Sequence, residues 1–250
     1  AASGAPVVAL IISDVTGDDP THIASGPCAP DPTTYADALE ILERYRVTPP
    51  PAVRARLEEG ADETPKPGDP VFERVQNKVI ATAHRSLEAA AAVFERHGIR
   101  PVILGDTITG EAAEVAKVMA ALVREIRTHA SPWKAPVALI SGGECTVTVR
   151  GEAGRGGRCS EFLLSLGIEL EGVAGVFALA ADTDGIDGSE DNAGACLGPE
   201  TLALARRQGV DPRAALASND SYGAFAAAGA LLVTGPTRTN VNDYRAILVA

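Results

Sequence analysis

The chain has 250 residues, 46% of them hydrophobic and only 4% aromatic, with a formal charge of −11. That length accommodates one large domain or two modest ones, with a core built from Ala, Val, Leu and Ile. The negative charge argues against a nucleic-acid or anionic-membrane partner, since either calls for a basic face. The four cysteines, Cys28, Cys145, Cys159 and Cys196, are widely spaced. They suggest neither a zinc site nor a disulfide frame, and a reducing, cytoplasmic setting fits. No apolar run nears the length of a membrane span, and no basic segment precedes the first one as in a signal peptide.

Residues 6–12 form a continuous apolar run, expected as a strand buried on both faces. The acidic loop Ser13-Asp14-Val15-Thr16-Gly17-Asp18-Asp19 follows at its carboxyl end, the edge where open α/β sheets bind ligands. Asp31-Pro32-Thr33-Thr34 signals a helix start, with Ala38, Leu39, Leu42 and Tyr45 on one face. Three prolines at 49–51 break the chain before a short helix over 53–59, and residues 60–70 read as a surface connection. A strand at 79–81, a helix over 87–96 and a strand at 101–104 come next. A helix over 111–127 is expected to turn Val115, Val118, Met119, Leu122 and Ile126 inward. Residues 129–136, with Pro132 and Pro136 around Trp133, read as an interdomain linker. Beyond it, strands are expected at 137–140, 146–150, 176–180, 231–234 and 246–249, with helices near 160–170, 199–208 and 220–228. Strands alternating with amphipathic helices predict an α/β fold: two α/β domains, mostly parallel sheets, and a ligand cleft between them.

Two loops concentrate the chemistry. The first, residues 151–158, holds four glycines with Arg155 and Arg158 and runs into an apolar helix. Free amides and the helix dipole would converge there on an anion. Arg158 opposes that dipole, which makes sense beside a bound anion, whereas Arg155 reads as a solvated loop charge. The second loop, 182–192, carries five acids around a glycine turn after an apolar run, a pattern able to hold a hard cation. Together they suggest phosphoryl transfer from a metal-bound nucleotide. Gly154-x-Gly156 lacks the third glycine of a dinucleotide turn, and no Walker A lysine loop is present. Residues 235–242 offer hydroxyls and amides suited to a hydroxy acid.

The motifs Ser141-Gly142-Gly143-Glu144, Gly156-Gly157-Arg158, Asp182-Thr183-Asp184-Gly185-Ile186-Asp187-Gly188 and Thr234-Gly235-Pro236-Thr237-Arg238-Thr239-Asn240-Val241-Asn242-Asp243 resemble the C-terminal domain of the 2-phosphoglycerate-forming glycerate kinases, the MOFRL-containing family also called hydroxypyruvate reductases. Ser13 to Asp19 and Ile23-Ala24-Ser25-Gly26-Pro27 resemble the later part of its N-terminal domain. The likeness runs in order through nearly the whole chain. Cys159 and Ser160 stand where the family usually has Asn followed by Gln or Val.

The resemblance implies residues 1–130 as part of a Rossmann-like kinase domain and 137–250 as a MOFRL-like domain. It implies ATP, Mg²⁺ or another divalent cation, and D-glycerate phosphorylated on its 2-hydroxyl, with the site in the interdomain cleft. Arg158, Asp182 and Asp184 are the expected catalytic groups. Ser25, Gly26, Gly142, Gly143, Glu144, Gly156, Gly157, Thr237, Asn240 and Asn242 are expected to bind substrate or nucleotide, and Asp14 and Asp187 the metal. A lysine motif and a glycine-rich loop that the family carries upstream are not among these residues, so residues 1–250 alone are expected not to catalyse the reaction. The alternatives are an NAD(P)H-dependent hydroxypyruvate reductase and a non-catalytic remnant that binds ligand without turnover. Association with further copies stays open.

Overall fold

The structure, a computed structural model, describes residues 5–149, 154–171 and 173–250. It falls into two compact units, Ala1–Ile80 and Ala81–Ala250. In the first, β1 (Val7–Ile12) pairs with β2 (Val75–Ala81) in a two-stranded sheet. Between them lie α1 (Tyr35–Arg44) and α2 (Pro51–Glu59). The Thr34 hydroxyl accepts from the Asp37 N–H at 3.2 Å and the Asp37 carboxylate accepts from the Thr34 N–H at 2.8 Å, so a reciprocal cap starts α1. The second helix begins two residues before its expected start because Pro51 sits at its first position, where no N–H is needed. The expectation of a doubly buried first strand fails. Val8 and Leu10 are 56% and 66% exposed, and burial alternates along β1, so one face of the strand is uncovered among the described residues.

The second unit contains α3 (Ala83–Arg96), β3 (Arg100–Gly105), β4 (Gly110–Glu111), α4 (Ala112–His129), β5 (Val137–Ser141) and β6 (Cys145–Thr146). Then come α5 (Arg158–Glu169), β7 (Val176–Asp182), β8 (Gly194–Leu197), α6 (Thr201–Arg207), α7 (Pro212–Ala217), α8 (Ser221–Ala228), β9 (Leu231–Leu232) and β10 (Asp243–Val249). Six strands form one sheet in the order β3-β5-β10-β7-β8-β9. Only β3 and β5 run parallel; the other four pairs are antiparallel. The α/β class holds, but this sheet is mixed where a mostly parallel one was expected. Residues 183–193 join β7 to β8 without a crossover helix, so the two strands pair antiparallel, and the last strand inserts against both β5 and β7.

Residues 130–136 connect two elements of one unit, because β3 pairs directly with β5 across them. Trp133 packs partly buried against the core of that unit. Helix α5 is buried from Cys159 to Ile168 and packs against α4, β7 and β8, which explains its nearly continuous apolar run. On α4 the buried stripe is Ala112, Ala116, Met119, Ala120, Val123 and Ile126. Val118 lies off that stripe and is 62% exposed, contrary to expectation. The Thr–Val alternation after Cys145 yields only the two-residue β6, because the Glu111 carboxylate takes the Thr148 N–H at 2.8 Å in place of a continued ladder. Arg150, the end of that expected strand, lies outside the described residues, as do Gly151, Glu152 and Ala153 of the glycine loop. Among the described residues, no helix is long and apolar enough to cross a membrane.

Candidate active site

The register of the central strand brings the motifs together. In β10, Asp243 lies opposite Asp182 at the end of β7, and Arg245 lies opposite Ser141 at the end of β5. The loops beginning at 142 and 183, and the one ending at 242, therefore open at one edge of the sheet. Two carboxylates facing each other across strands repel unless a cation intervenes. Arg158, the first residue of α5, supplies it. Its Nε donates to Asp243 Oδ1 at 2.7 Å and its Nη2 to Asp182 Oδ2 at 2.6 Å, while Nη1 lies 3.0 Å from Glu144 Oε1. Burial disfavours the charge on Arg158, but Asp243, Asp182 and Glu144 outweigh it and raise the guanidinium pKa. Burial pushes Asp182 up to about 6, against the Asp184 N–H and Arg158, which favour its ionised form.

Behind this cluster, Arg245 is 1% exposed. Its Nη1 donates to Gly142 O at 3.3 Å, and its Nη2 to Gly143 O at 3.2 Å and Asp243 Oδ2 at 3.1 Å. Its guanidinium also lies 5.5 Å from the Phe162 ring centroid. A buried charge is tolerable when paired and hydrogen-bonded in this way. The same contacts hold the turn after β5, where Gly143 has φ +102° and a Cβ would meet Ile108 O at 2.3 Å. Only glycine fits there.

The start of α5 is not an open anion cradle. Asp187 is fully buried, its Oδ1 accepting the Cys159 N–H at 2.9 Å and its Oδ2 the Ser160 N–H at 2.8 Å and the Ser160 hydroxyl at 2.6 Å. Those helix amides are thus satisfied internally by a carboxylate, as at any well-capped N-terminus. The Gly157 N–H is shared with Ser160 Oγ at 3.2 Å, and a Cβ on Gly157 would strike Asp187. Gly156 and Gly157 therefore allow the acidic loop to reach the helix, and the expected role of Asp187 as a metal ligand is corrected to that of a cap. Cys159 and Ser160 present their amides to that cap; the Cys159 thiol itself is buried and inert, its pKa raised by burial.

The remaining acids divide further. Asp184 Oδ1 accepts the Ile186 N–H at 2.7 Å, and among the described residues its second oxygen has no hydrogen bond. Thr183 ties this loop to the one before β10. Its hydroxyl donates to Asn242 O at 2.8 Å and accepts the Val241 N–H at 2.9 Å, while the Thr237 N–H donates to Asp184 O at 2.9 Å. Thr237 is exposed, Asn240 partly buried with its Oδ1 on the Asn242 N–H, and Asn242 buried. Arg238, also exposed, makes no ion pair among the described residues.

The structure thus gathers Gly142, Gly143, Glu144, Gly156, Gly157, Arg158, Asp182, Asp184, Asp187, Thr237, Asn240 and Asn242 around one sheet edge. Asp14, Ser25 and Gly26 belong to the first unit, where Asp14 and Ser25 are exposed. Asp243 and Arg245 were missed as site residues. A signal for them existed: two charges at alternate positions open an otherwise apolar strand, residues 243–249. Among the described residues, no three His, Cys, Asp or Glu side chains are arranged to hold a metal. A divalent cation fits only as Mg²⁺ commonly binds, through one or two carboxylates and the phosphates of its nucleotide; Asp184 has an oxygen to give.

The MOFRL family matches residues 137–243, and a domain of unknown function (DUF4147) matches residues 1–58. A protein of Agrobacterium vitis that carries a provisional hydroxypyruvate reductase name is 52% identical over 250 residues, spanning 100% of this chain and 56% of the relative. The D-glycerate 2-kinase of Thermotoga maritima is 40% identical over 239 residues, spanning 96% of this chain and 55% of the relative. The crystal structure of glycerate kinase from Thermotoga maritima superposes with a TM-score of 0.87 at 39% identity, covering 99% of this chain and 58% of that one. The chain spans a little over half the length of these relatives.

Proposed function

Because the chain belongs to the glycerate kinase family, we propose that it serves the ATP-dependent phosphorylation of D-glycerate to 2-phosphoglycerate. The carrying observation is Arg158, a guanidinium fixed at a sheet edge by Asp182 and Asp243 where three motif loops converge. Phosphoryl transfer needs little covalent help from a protein; alignment and neutralisation of charge carry most of it. Arg158 supplies a fixed positive charge, and Thr237, Asn240 and Asn242 supply polar groups for a hydroxy acid. Asp184 takes the divalent cation that accompanies the nucleotide.

The reductase reading finds less support. A dinucleotide pyrophosphate usually sits on helix amides after a glycine turn, and Asp187 already occupies those of α5. The test is an assay of the natural gene product with ATP, D-glycerate and Mg²⁺, the product being identified by phosphorus NMR. Formation of 2-phosphoglycerate that Arg158→Ala lowers at least tenfold is the expected result. Hydroxypyruvate-dependent NAD(P)H oxidation without phosphoryl transfer would overturn the proposal.

A further inference from the structure

We infer that the Glu144 carboxylate is a stand-in for the carboxylate of the substrate, paired with Arg158 and displaced when the hydroxy acid binds. The inference rests on the anion role proposed for Arg158 above. Three carboxylates contact that guanidinium, and they are not equivalent. Asp243 is fully buried and its second oxygen is held by Arg245 at 3.1 Å. Asp182 has a side chain only 6% exposed, lies in the sheet opposite Asp243, and gives its second oxygen to the Asp184 N–H at 3.1 Å. Neither can leave without stranding a buried charge.

Glu144 differs on every count. It follows the fixed Gly142-Gly143 turn, its side chain is 52% exposed, and its 3.0 Å approach to Arg158 Nη1 is its single ion pair among the described residues. Exposed pairs of this kind contribute little, so solvent or a ligand exchanges with them readily. The turn brings the Glu144 side chain to the guanidinium edge that Asp182 and Asp243 leave unused.

Charge then selects the class of ligand. Glu144, Asp182 and Asp243 against Arg158 and Arg245 leave one formal negative charge in the cluster. Exchange of Glu144 for the single carboxylate of a hydroxy acid preserves that balance. A phosphate dianion at the same position adds a further negative charge beside a partly buried Asp pair, which is unfavourable without a cation. Arg158 therefore takes the carboxylate end of the acceptor, and the nucleotide phosphates fall to the cation and to other groups.

The experiment labels arginines with phenylglyoxal in the wild-type protein and in Glu144→Gln, and follows the Arg158 peptide by mass spectrometry with increasing D-glycerate. Glu144 is half-exposed, so the variant should fold, and near-UV circular dichroism verifies it. The expected result is faster labelling of Arg158 in Glu144→Gln and a half-protecting D-glycerate concentration about two- to fivefold lower than in wild type. Inorganic phosphate, without divalent cation, should protect less than D-glycerate at equal concentration. Equal or weaker protection of the variant overturns the stand-in role while leaving Arg158 as an anion site. Stronger protection by phosphate overturns the carboxylate assignment. Failure of D-glycerate to protect Arg158 in either protein overturns this inference together with the anion role of Arg158.

Discussion

Two acidic loops follow apolar strands in this chain, and they behave in opposite ways. After β1 and the buried Ser13, the loop from Asp14 to Asp19 stays at the surface. Asp14 and Asp19 are exposed, Asp19 accepts the Thr21 N–H at 2.9 Å, and Gly17 has open space around it. After β7, Asp182 and Asp187 are buried, one clamped by Arg158 and the other capping α5, and a Cβ on Gly185 would meet Gly235 O at 2.2 Å. The difference lies in what surrounds each strand end. The first loop leaves a two-stranded sheet, whereas the second leaves the middle of a six-stranded one, with a helix start and another loop against it. Acid content does not make a site; elements converging on the acids do.

Removing the cap tests this contrast most severely. Asp187→Ala strands two buried helix N–H groups and removes one acceptor of the Ser160 hydroxyl, and should destabilise the second unit by about 2–3 kcal/mol, read from the midpoint of urea denaturation. A loss below about 0.5 kcal/mol would reduce Asp187 to an ordinary loop acid. Next comes Arg158→Ala, which deletes a charge-assisted contact worth about 1.5–3 kcal/mol and should weaken D-glycerate binding roughly tenfold or more. Calorimetric affinity unchanged by the substitution would remove Arg158 from the site.

A smaller effect separates the loops by titration. Asp182, pushed up to about 6 by burial, lies above the ordinary carboxylate value of 3.8, whereas the Thr21 N–H holds Asp19 below it. Between about 3.8 and about 6 the folded chain binds more protons at Asp182 than the unfolded chain does. The contribution of this group to stability therefore falls as pH rises through that window. Carbon NMR of the carboxyl groups should give the Asp182 midpoint above that of Asp19, and Asp182→Asn should flatten the pH dependence of stability over the same range. The reverse order of midpoints would contradict the buried placement of Asp182. The smallest change is expected in the first loop: Asp14→Ala should alter stability by less than about 0.5 kcal/mol, and a larger loss would mean that Asp14 is built into its unit as Asp187 is.

Much of the site was readable from residue order. Gly156, Gly157 and Arg158 before an apolar helix, and the acids from Asp182 after an apolar strand, lie where pattern and resemblance predict. What escaped was the direction of their bonds. A glycine turn at a helix start reads as a phosphate cradle until Asp187, 28 residues on from Cys159, proves to occupy it. The central place of β10 escaped as well, because the alternation of strands and helices suggests a parallel sheet and carries no record of a last strand inserting between β5 and β7. Asp243 and Arg245 acquire their importance from that insertion alone.

The order of apolar runs, glycines and charges by itself determined the α/β class, the start of α5 and the concentration of chemistry in the motifs from Ser141 to Asp243. Those features depend on near neighbours: a cap three residues away, a stripe of period 3.6, a turn that only glycine can make. Tertiary structure decided which carboxylates became buried, which one caps a helix, and which cation holds Asp182 and Asp243 together. Those outcomes depend on strand register and burial, where an ion pair spans 85 residues of chain from Arg158 to Asp243 and desolvation, absent from any local pattern, sets the cost of each charge.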